Sequence, residues 1–282
     1  MRTVITHFFN EAYLLPWWLE HHVKMFNHGI LIDHGSTDES ADICRQLAPH
    51  WRLVKSRLTE FDAWLTDFEV MNYEIELTGW KIALNTTEFL IANPGLDELE
   101  RSLAADGRMG IAASGMTMID KEPERSPVRG QSLVMQKPWA VDDNRFGKLR
   151  WLRQALGHPK TPQRNRFYHS LPTGMYPPGR HRSFHRDWQT RTPNLMVLHY
   201  GYAPWNEEFI GRKMQIADKI PAQDRKHGMG FQHLRNREQL QRAFDRFDRL
   251  AYADLRQHAV AGPALDGGVT GGMETILKVR NA

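Results

Sequence analysis

An α/β fold built on a Rossmann-like, mostly parallel sheet flanked by helices is what this 282-residue sequence predicts. Three observations carry that reading. Short apolar runs bounded by turn residues recur through the first third of the chain, and segments of helical spacing lie between them. After about residue 115 prolines crowd in, which predicts a loop-rich second half.

The runs Thr3–Phe9, Gly29–Asp33, Trp51–Ser56, Trp80–Leu84 and Met109–Ala113 read as strands. A helix is expected over Tyr13–Phe26, where Leu15, Trp18, Leu19, His22 and Phe26 share one face and Pro16 suits the first turn. A second helix is expected to open at Ser36, with Glu39 completing a capping box and Ile43 and Leu47 on its buried face. Asn194–Tyr200 reads as one more buried strand. Leu240, Phe244, Phe247, Ala251 and Leu255 give an amphipathic helix over Arg237–His258, followed by a glycine-rich tail from Gly262. The expected division is a Rossmann-like half at 1–120, the rest of the same domain at 121–235, and a C-terminal helix and tail at 236–282.

Hydrophobic residues make up 41% and charged residues 25%, the balance of an ordinary globular protein. Cys44 is the single cysteine, which excludes a disulfide framework and a cysteine-based zinc site and fits a reducing compartment. No apolar run approaches the ~18 residues of a membrane span, and no secretory leader pattern opens the sequence. A cytoplasmic location without a transmembrane segment is therefore expected.

The net charge of +4 hides an asymmetry: residues 1–100 carry 16 acidic and 7 basic side chains, leaving 17 and 30 for the remainder. Arg145–Arg191 alone holds eleven Lys/Arg, four His and one acid, Asp187. Such a run calls for an anionic ligand.

Ligands of open parallel sheets bind outside the carboxyl ends of the strands. Three predicted strands end in polar signatures there: Asn10-Glu11, Asp33 through Asp38, and Asn85-Thr86-Thr87-Glu88. The Gly35–Asp38 turn offers backbone N–H groups and capping side chains to a polar ligand, although Ser36 and Asp38 equally suit plain capping. Asp33, a carboxylate closing a buried strand, is costly unless paired or liganded.

The segments VITHFFNEAYLLPWWLEHH, LIDHGSTDES and W-x-x-x-L-N-T-T-E-F-L resemble family 2 glycosyltransferases of the GT-A type. The branch concerned has a fourth strand reading W-x-x-x-x-D-x-D-E-F. LHYGYAPWNEEFIGRK resembles that branch's terminal His-Tyr…Glu-Glu-Phe…Lys segment. The resemblance spans roughly 3–120 closely and 176–235 more loosely. It implies that 1–120 binds a nucleotide sugar and 121–235 faces the acceptor. It implies further that Asn10, Glu11, Asp33 and Asp38 line the nucleotide pocket, and that Asn85, Thr87 and Glu88 occupy the donor motif. His199 matches a histidine that holds metal or diphosphate.

Here the sequence departs from the pattern. Asn85 and Thr87 stand where two aspartates bridge metal and diphosphate, and neither neutral side chain replaces a carboxylate on magnesium or manganese. No metal site and no firm cofactor are predicted, with Glu88 and His199 the only remaining ligands for manganese or magnesium. The leaving diphosphate still needs counter-charge, which Arg180, His181, Arg182, His185 and Lys213 can supply. For the acceptor-activating base, Glu207 leads by motif position, with Asp187 and Asp120 behind it. Trp139, Trp188 and Trp205 are candidates for stacking on a sugar.

The function so implied is transfer of a sugar from a nucleotide diphosphate sugar to a hydroxyl of a glycan or lipid-linked saccharide, inverting and metal-independent. A catalytically inactive descendant that binds nucleotide sugar or glycan is the alternative, favoured by the lost aspartates. No nucleic-acid partner is predicted: the basic run has no recognisable reading motif, and its prolines oppose a groove-reading helix.

Overall fold

Strand and helix alternate through the N-terminal half as β1 (Arg2–Phe8), α1 (Leu15–His22), β2 (His28–Asp33), α2 (Ser40–Leu47), β3 (Arg52–Lys55), α3 (Ala63–Ile75) and β4 (Trp80–Ala83). The computed structural model describes residues 1–142, 164–230, 233–249 and 253–255. The remaining described elements are β5 (Glu88–Ala92), α4 (Leu96–Ala105), β6 (Gly110–Ile119), α5 (Leu133–Gln136), β7 (Trp139–Asp142), β8 (Arg166–His169), β9 (Arg191–Tyr202), α6 (Glu207–Met214), α7 (Ala222–Lys226), α8 (Arg237–Asp248) and β10 (Ala253–Asp254). Trp151, the basic residues between Arg145 and Lys160, and the tail from Gly262 lie outside the described residues.

These strands form one sheet in the order β10-β7-β6-β8-β4-β1-β2-β3. β4, β1, β2 and β3 are mutually parallel, so the carboxyl ends of all four lie on one edge. β8 enters antiparallel between β4 and β6. β6 is buried along its whole length and is where the sheet branches. It pairs with β8 and then β7 on one side, and with β9 in parallel on the other. β5 continues from β9.

Side chains of β1 and β2 alternate between two cores, as strand geometry requires. Val4 and Leu31 face the larger one with Trp17, Trp18 and Leu19 of α1, while Ile5, Ile30 and Ile32 face Val70 and Tyr73 of α3. Apolar residues on both faces explain why β2 reads as an unbroken apolar run, while β1 interposes the buried Thr3, Thr6 and His7.

Several expectations shift. α1 is shorter than the segment Tyr13–Phe26, because the chain tightens through Met25 N–H to His22 O as it turns toward β2. α2 begins at Ser40, not Ser36. The Ser36 hydroxyl is taken by the Asn10 N–H at 3.0 Å, Asp38 caps the Ser40 N–H at 3.0 Å, and Glu39 makes no side-chain cap. α8 stops at Asp248, and Ala253–Asp254 leaves the helical path to pair with β7. The expected loop-rich second half contains the twelve-residue β9 and the helix α6.

α3 was not foreseen, and its polarity explains why. Its N-terminus is held by Asp62, whose carboxylate accepts the Trp64 and Leu65 N–H groups at 2.9 and 2.7 Å. Its buried residues include Asp67, Glu69 and Glu74, whereas Trp64, Leu65, Phe68 and Ile75 are each at least 50% exposed. Acids thus share the buried face of the helix with Val70 and Tyr73, while four large apolar residues lie on its exposed side.

Gly29 sits where a Cβ would fall 2.2 Å from the Trp51 ring, itself buried beside Trp18. Gly29→Ala is expected to cost about 1–3 kcal/mol by overpacking. Urea unfolding measures it, and an unchanged midpoint would contradict the packing described.

Candidate active site

Parallel pairing brings the polar ends of β1, β2 and β4 to one edge. Asn10 adopts the left-handed region at φ 50, which asparagine tolerates better than most residues. Its Oδ1 accepts the Thr37 and Asp38 N–H groups at 2.7 and 3.4 Å. Asp33 Oδ1 accepts the Ser36 N–H at 2.8 Å, and Asp38 Oδ2 accepts the Ala12 N–H at 3.0 Å. Asn10, Asp33 and Asp38 thus fix the loop between β2 and α2. Glu11 is buried, and its carboxylate pairs with Arg212 of α6. Burial raises its pKa above the ordinary value, with Arg212 opposing.

The turn from β4 into β5 carries the densest polar network. Glu88 is fully buried and accepts two bonds from Arg166 of β8, Nε to Oε2 at 2.7 Å and Nη2 to Oε1 at 2.6 Å. Its Oε2 also takes the Asn85 N–H at 2.8 Å. Arg166 then donates Nη1 to Gly179 O and to His181 Nδ1, both at 2.8 Å. Arg180, at φ 55, reaches Asp67 of α3 with one nitrogen and Asn85 Oδ1 at 2.8 Å with another. A left-handed arginine persists only where its surroundings over-determine it. The Gly179 N–H to Asp67 Oδ2 bond at 2.6 Å completes that restraint.

β5 and β9 pair with Glu88 opposite His199. His199 Nε2 lies 2.9 Å from Arg164 Nη1, and Lys213 of α6 donates to Gly201 O at 2.9 Å. Arg166, Arg180 and Arg212 pair with Glu88, Asp67 and Glu11 respectively, and Arg164 and Lys213 lie beside them. Burial, reinforced by Arg164 and other neighbouring cations, holds the pKa values of His181, His199 and Lys213 well below their ordinary ranges.

Of the sequence-derived site residues, Asn10, Asp33 and Asp38 gather around one loop, while Asn85, Glu88, Arg180 and His181 share one network. Thr87 lies in the same turn and gives its carbonyl to the Tyr200 N–H at 2.7 Å. The sequence reading missed Asp67, Arg164, Arg166 and Arg212. Arg164 and Arg166 stood inside the basic run, but nothing in their spacing separated them from its other members.

Other assignments change. Glu207 lies on the exposed first turn of α6 and pairs with Arg237, with 74% of its side chain accessible. Asp187 accepts the Met109 N–H at 2.8 Å, beside the first residue of β6. β6 runs in the same sense as β4, so Asp187 sits at the amino edge of the sheet, opposite the polar cluster. His185 caps the short helix that carries Asp187, and Arg182 is exposed. Asp120 is saturated by Lys137 at 2.8 Å, the Glu122 N–H at 3.0 Å and the Trp205 N–H at 2.8 Å. Trp188 packs edge-on to Phe167 and Trp205 stacks on Phe244, both buried, while Trp139 lies half-buried in β7.

The donor set does not fit the divalent cation that a GT-A motif implies. Asn85 Oδ1 faces a guanidinium, both Glu88 oxygens are held by Arg166, and Thr87 is neutral. Arginines occupy the positions around which a metal would have to assemble.

No family model and no curated protein matches the chain. Among solved structures, residues 1–349 of S. aureus TarS align at 12% identity and TM-score 0.37, over 77% of this chain and 64% of that one. The same TarS fragment in complex with UDP aligns at 12% identity and TM-score 0.35, again over 77% and 64%. Glucosyl-3-phosphoglycerate synthase from Mycobacterium tuberculosis, in complex with Mn2+, UDP and glucosyl-3-phosphoglycerate, aligns at 12% identity and TM-score 0.31, over 60% and 56%. This chain thus spans less than two thirds of the length of each. Likenesses of this size carry no conclusion about what the chain does. Among the described residues no helix is long and apolar enough to cross a membrane.

Breaking the central ion pair tests the network. Glu88→Gln leaves the Arg166 charge buried without its partner and is expected to lower stability by about 3–5 kcal/mol. The double variant Glu88→Leu/Arg166→Leu removes both charges and should recover much of that loss. Equal unfolding midpoints for wild type and Glu88→Gln would contradict the pairing.

Proposed function

We propose that this chain is a nucleotide-sugar-dependent glycosyltransferase of the GT-A type. It moves a sugar from a nucleotide diphosphate sugar to a hydroxyl of a glycan or lipid-linked saccharide, with basic side chains in place of a divalent cation. The observation that carries this reading is the cluster of buried basic side chains, Arg166, Arg180, His181, His199 and Lys213, where parallel strands end beside the Asn85–Glu88 turn. Such an edge is the usual ligand position in open α/β sheets.

In this reading Asn10, Glu11, Asp33 and Asp38 serve the nucleoside side, and Arg180, His181, His199 and Lys213 serve the diphosphate. The acceptor hydroxyl attacks the anomeric carbon with inversion as the bond to the diphosphate oxygen breaks; the leaving diphosphate carries away the electron pair, and the hydroxyl proton passes to it or to solvent. Pre-set cations stabilise that developing charge without reorganising at the moment of reaction. A second reading, binding without turnover, draws on Glu207 facing solvent and Asp187 lying at the opposite edge. Both readings require the same pocket.

Arg180→Gln is expected to weaken UDP or GDP binding by about tenfold or more, since it removes a charge-assisted phosphate contact. Isothermal titration measures it, with melting temperature recorded to check the fold. Exhaustive chelation should leave any sugar transfer unchanged. Complete loss restored by manganese would overturn the metal-free mechanism, and nucleotide binding without transfer under any condition would select the second reading.

Diphosphate binding should also draw protons onto Lys213 and the neighbouring histidines, because an anion favours their charged forms. Titrations at one pH in two buffers of different ionisation enthalpy report that uptake. Net proton release would contradict the placement of the diphosphate.

A further inference from the structure

A cavity opens beside α8, next to the cluster of basic side chains described above. Its volume is about 560 Å³, and Leu234, Arg235, Gln239, Arg242, Ala243 and Arg246 line it. Among the described residues that line it, three are arginines and none is acidic. We propose that it binds the phosphate group of an anionic acceptor, a phosphate ester of a sugar or polyol, and presents the attached hydroxyl toward the donor site.

The sequence builds this wall from one face of α8. Gln239, Arg242, Ala243 and Arg246 recur at three- and four-residue spacing, so they stack on one side of the helix. Leu240, Phe244 and Phe247 are buried and anchor α8 to the larger core. Arg242 and Arg246 are exposed. Arg242 keeps Glu238 at 3.5 Å, with both side chains mostly accessible. Exposed pairs of this kind contribute little, so a phosphate can take over the guanidinium without a large loss. Arginine forks match phosphate oxygens in geometry as well as charge.

Arg235 joins the cavity to the donor side. Its Nη1 lies 3.4 Å from the Tyr202 hydroxyl at the end of β9. Lys213 lies over the same Tyr202 ring, 5.2 Å from its centroid. His233, two residues before Arg235, sits among Lys213, Arg212 and Arg164, and burial with those charges pushes its pKa down to about 4. The segment His233–Arg235 is therefore a wall shared by the two cationic regions. An acceptor anchored by its phosphate in the outer region has its remaining hydroxyls beside the inner one. The acceptor role rests on the donor reading above, whereas the anion site does not.

Isothermal titration with glycerol phosphate, with glycerol as neutral control, tests the site. Wild type is expected to bind glycerol phosphate and not glycerol. Arg242→Gln/Arg246→Gln should weaken glycerol phosphate about tenfold or more while leaving UDP and GDP affinity unchanged. Arg180→Gln should do the reverse. Unchanged glycerol phosphate affinity in the double variant overturns the proposal, as does its loss in Arg180→Gln, which would put the phosphate in the donor site. If wild type binds glycerol phosphate through Arg242 and Arg246 but neither nucleotide, the anion site stands and the donor reading fails.

Discussion

The Glu88 and Arg166 side chains are 0% and 1% exposed, and their pairing holds the carboxyl edge of the sheet together. Either charge alone at that depth would cost several kcal/mol. Together they satisfy one another bidentately, and the bonds left over restrain their surroundings. Glu88 fixes the turn out of β4 through the Asn85 N–H, and Arg166 fixes the loop at Gly179 and His181. That loop turns left-handed at Arg180, which then spans from Asp67 on α3 to Asn85. One ion pair thereby sets the relative positions of β5, β8, α3 and the loop between β8 and β9.

The charge asymmetry along the sequence acquires a spatial meaning here. Glu11, Asp67 and Glu88 come from the acidic first hundred residues, and their partners Arg212, Arg180 and Arg166 come from the basic remainder. Segregation in sequence becomes pairing across the fold. Part of the positive charge that the basic run advertises is spent internally. Burial, with Arg164 and Arg166 adding to it, depresses the pKa values of the buried His181 and His199 beside them.

The parallel half was legible because β1, β2 and β4 are apolar on both faces and stop at polar residues, a pattern that needs no tertiary knowledge. Asn10 and Asp33 were legible for the same reason. Glu88 was placed correctly in the turn, yet its partner was not readable. Arg166 lies 78 residues away and meets it only once β8 inserts beside β4. The exposure of Glu207 was not legible, because motif position says nothing about it and α6 presents its first turn to solvent. Asp187 misled because sequence proximity to Arg180 and His181 does not survive the chain's passage to the opposite edge. α3 escaped notice because periodicity methods expect apolar residues inside, and this helix puts its acids there.

That inversion changes how substitutions along α3 should be ranked. On an ordinary surface helix, hydropathy is a fair guide to mutational tolerance: polar positions accept change and apolar ones resist it. Along α3 the guide holds at Val70 and Tyr73 but points the wrong way at the buried acids and the exposed apolar residues. Asp67 and Glu74 each hold backbone and side-chain groups of the loop between β8 and β9, so even an isosteric amide there strips anchors from that loop. Trp64, Phe68 and Ile75, by contrast, are each more than half exposed. A variant library filtered by hydropathy would conserve the dispensable half of this helix and diversify the half on which the loop depends.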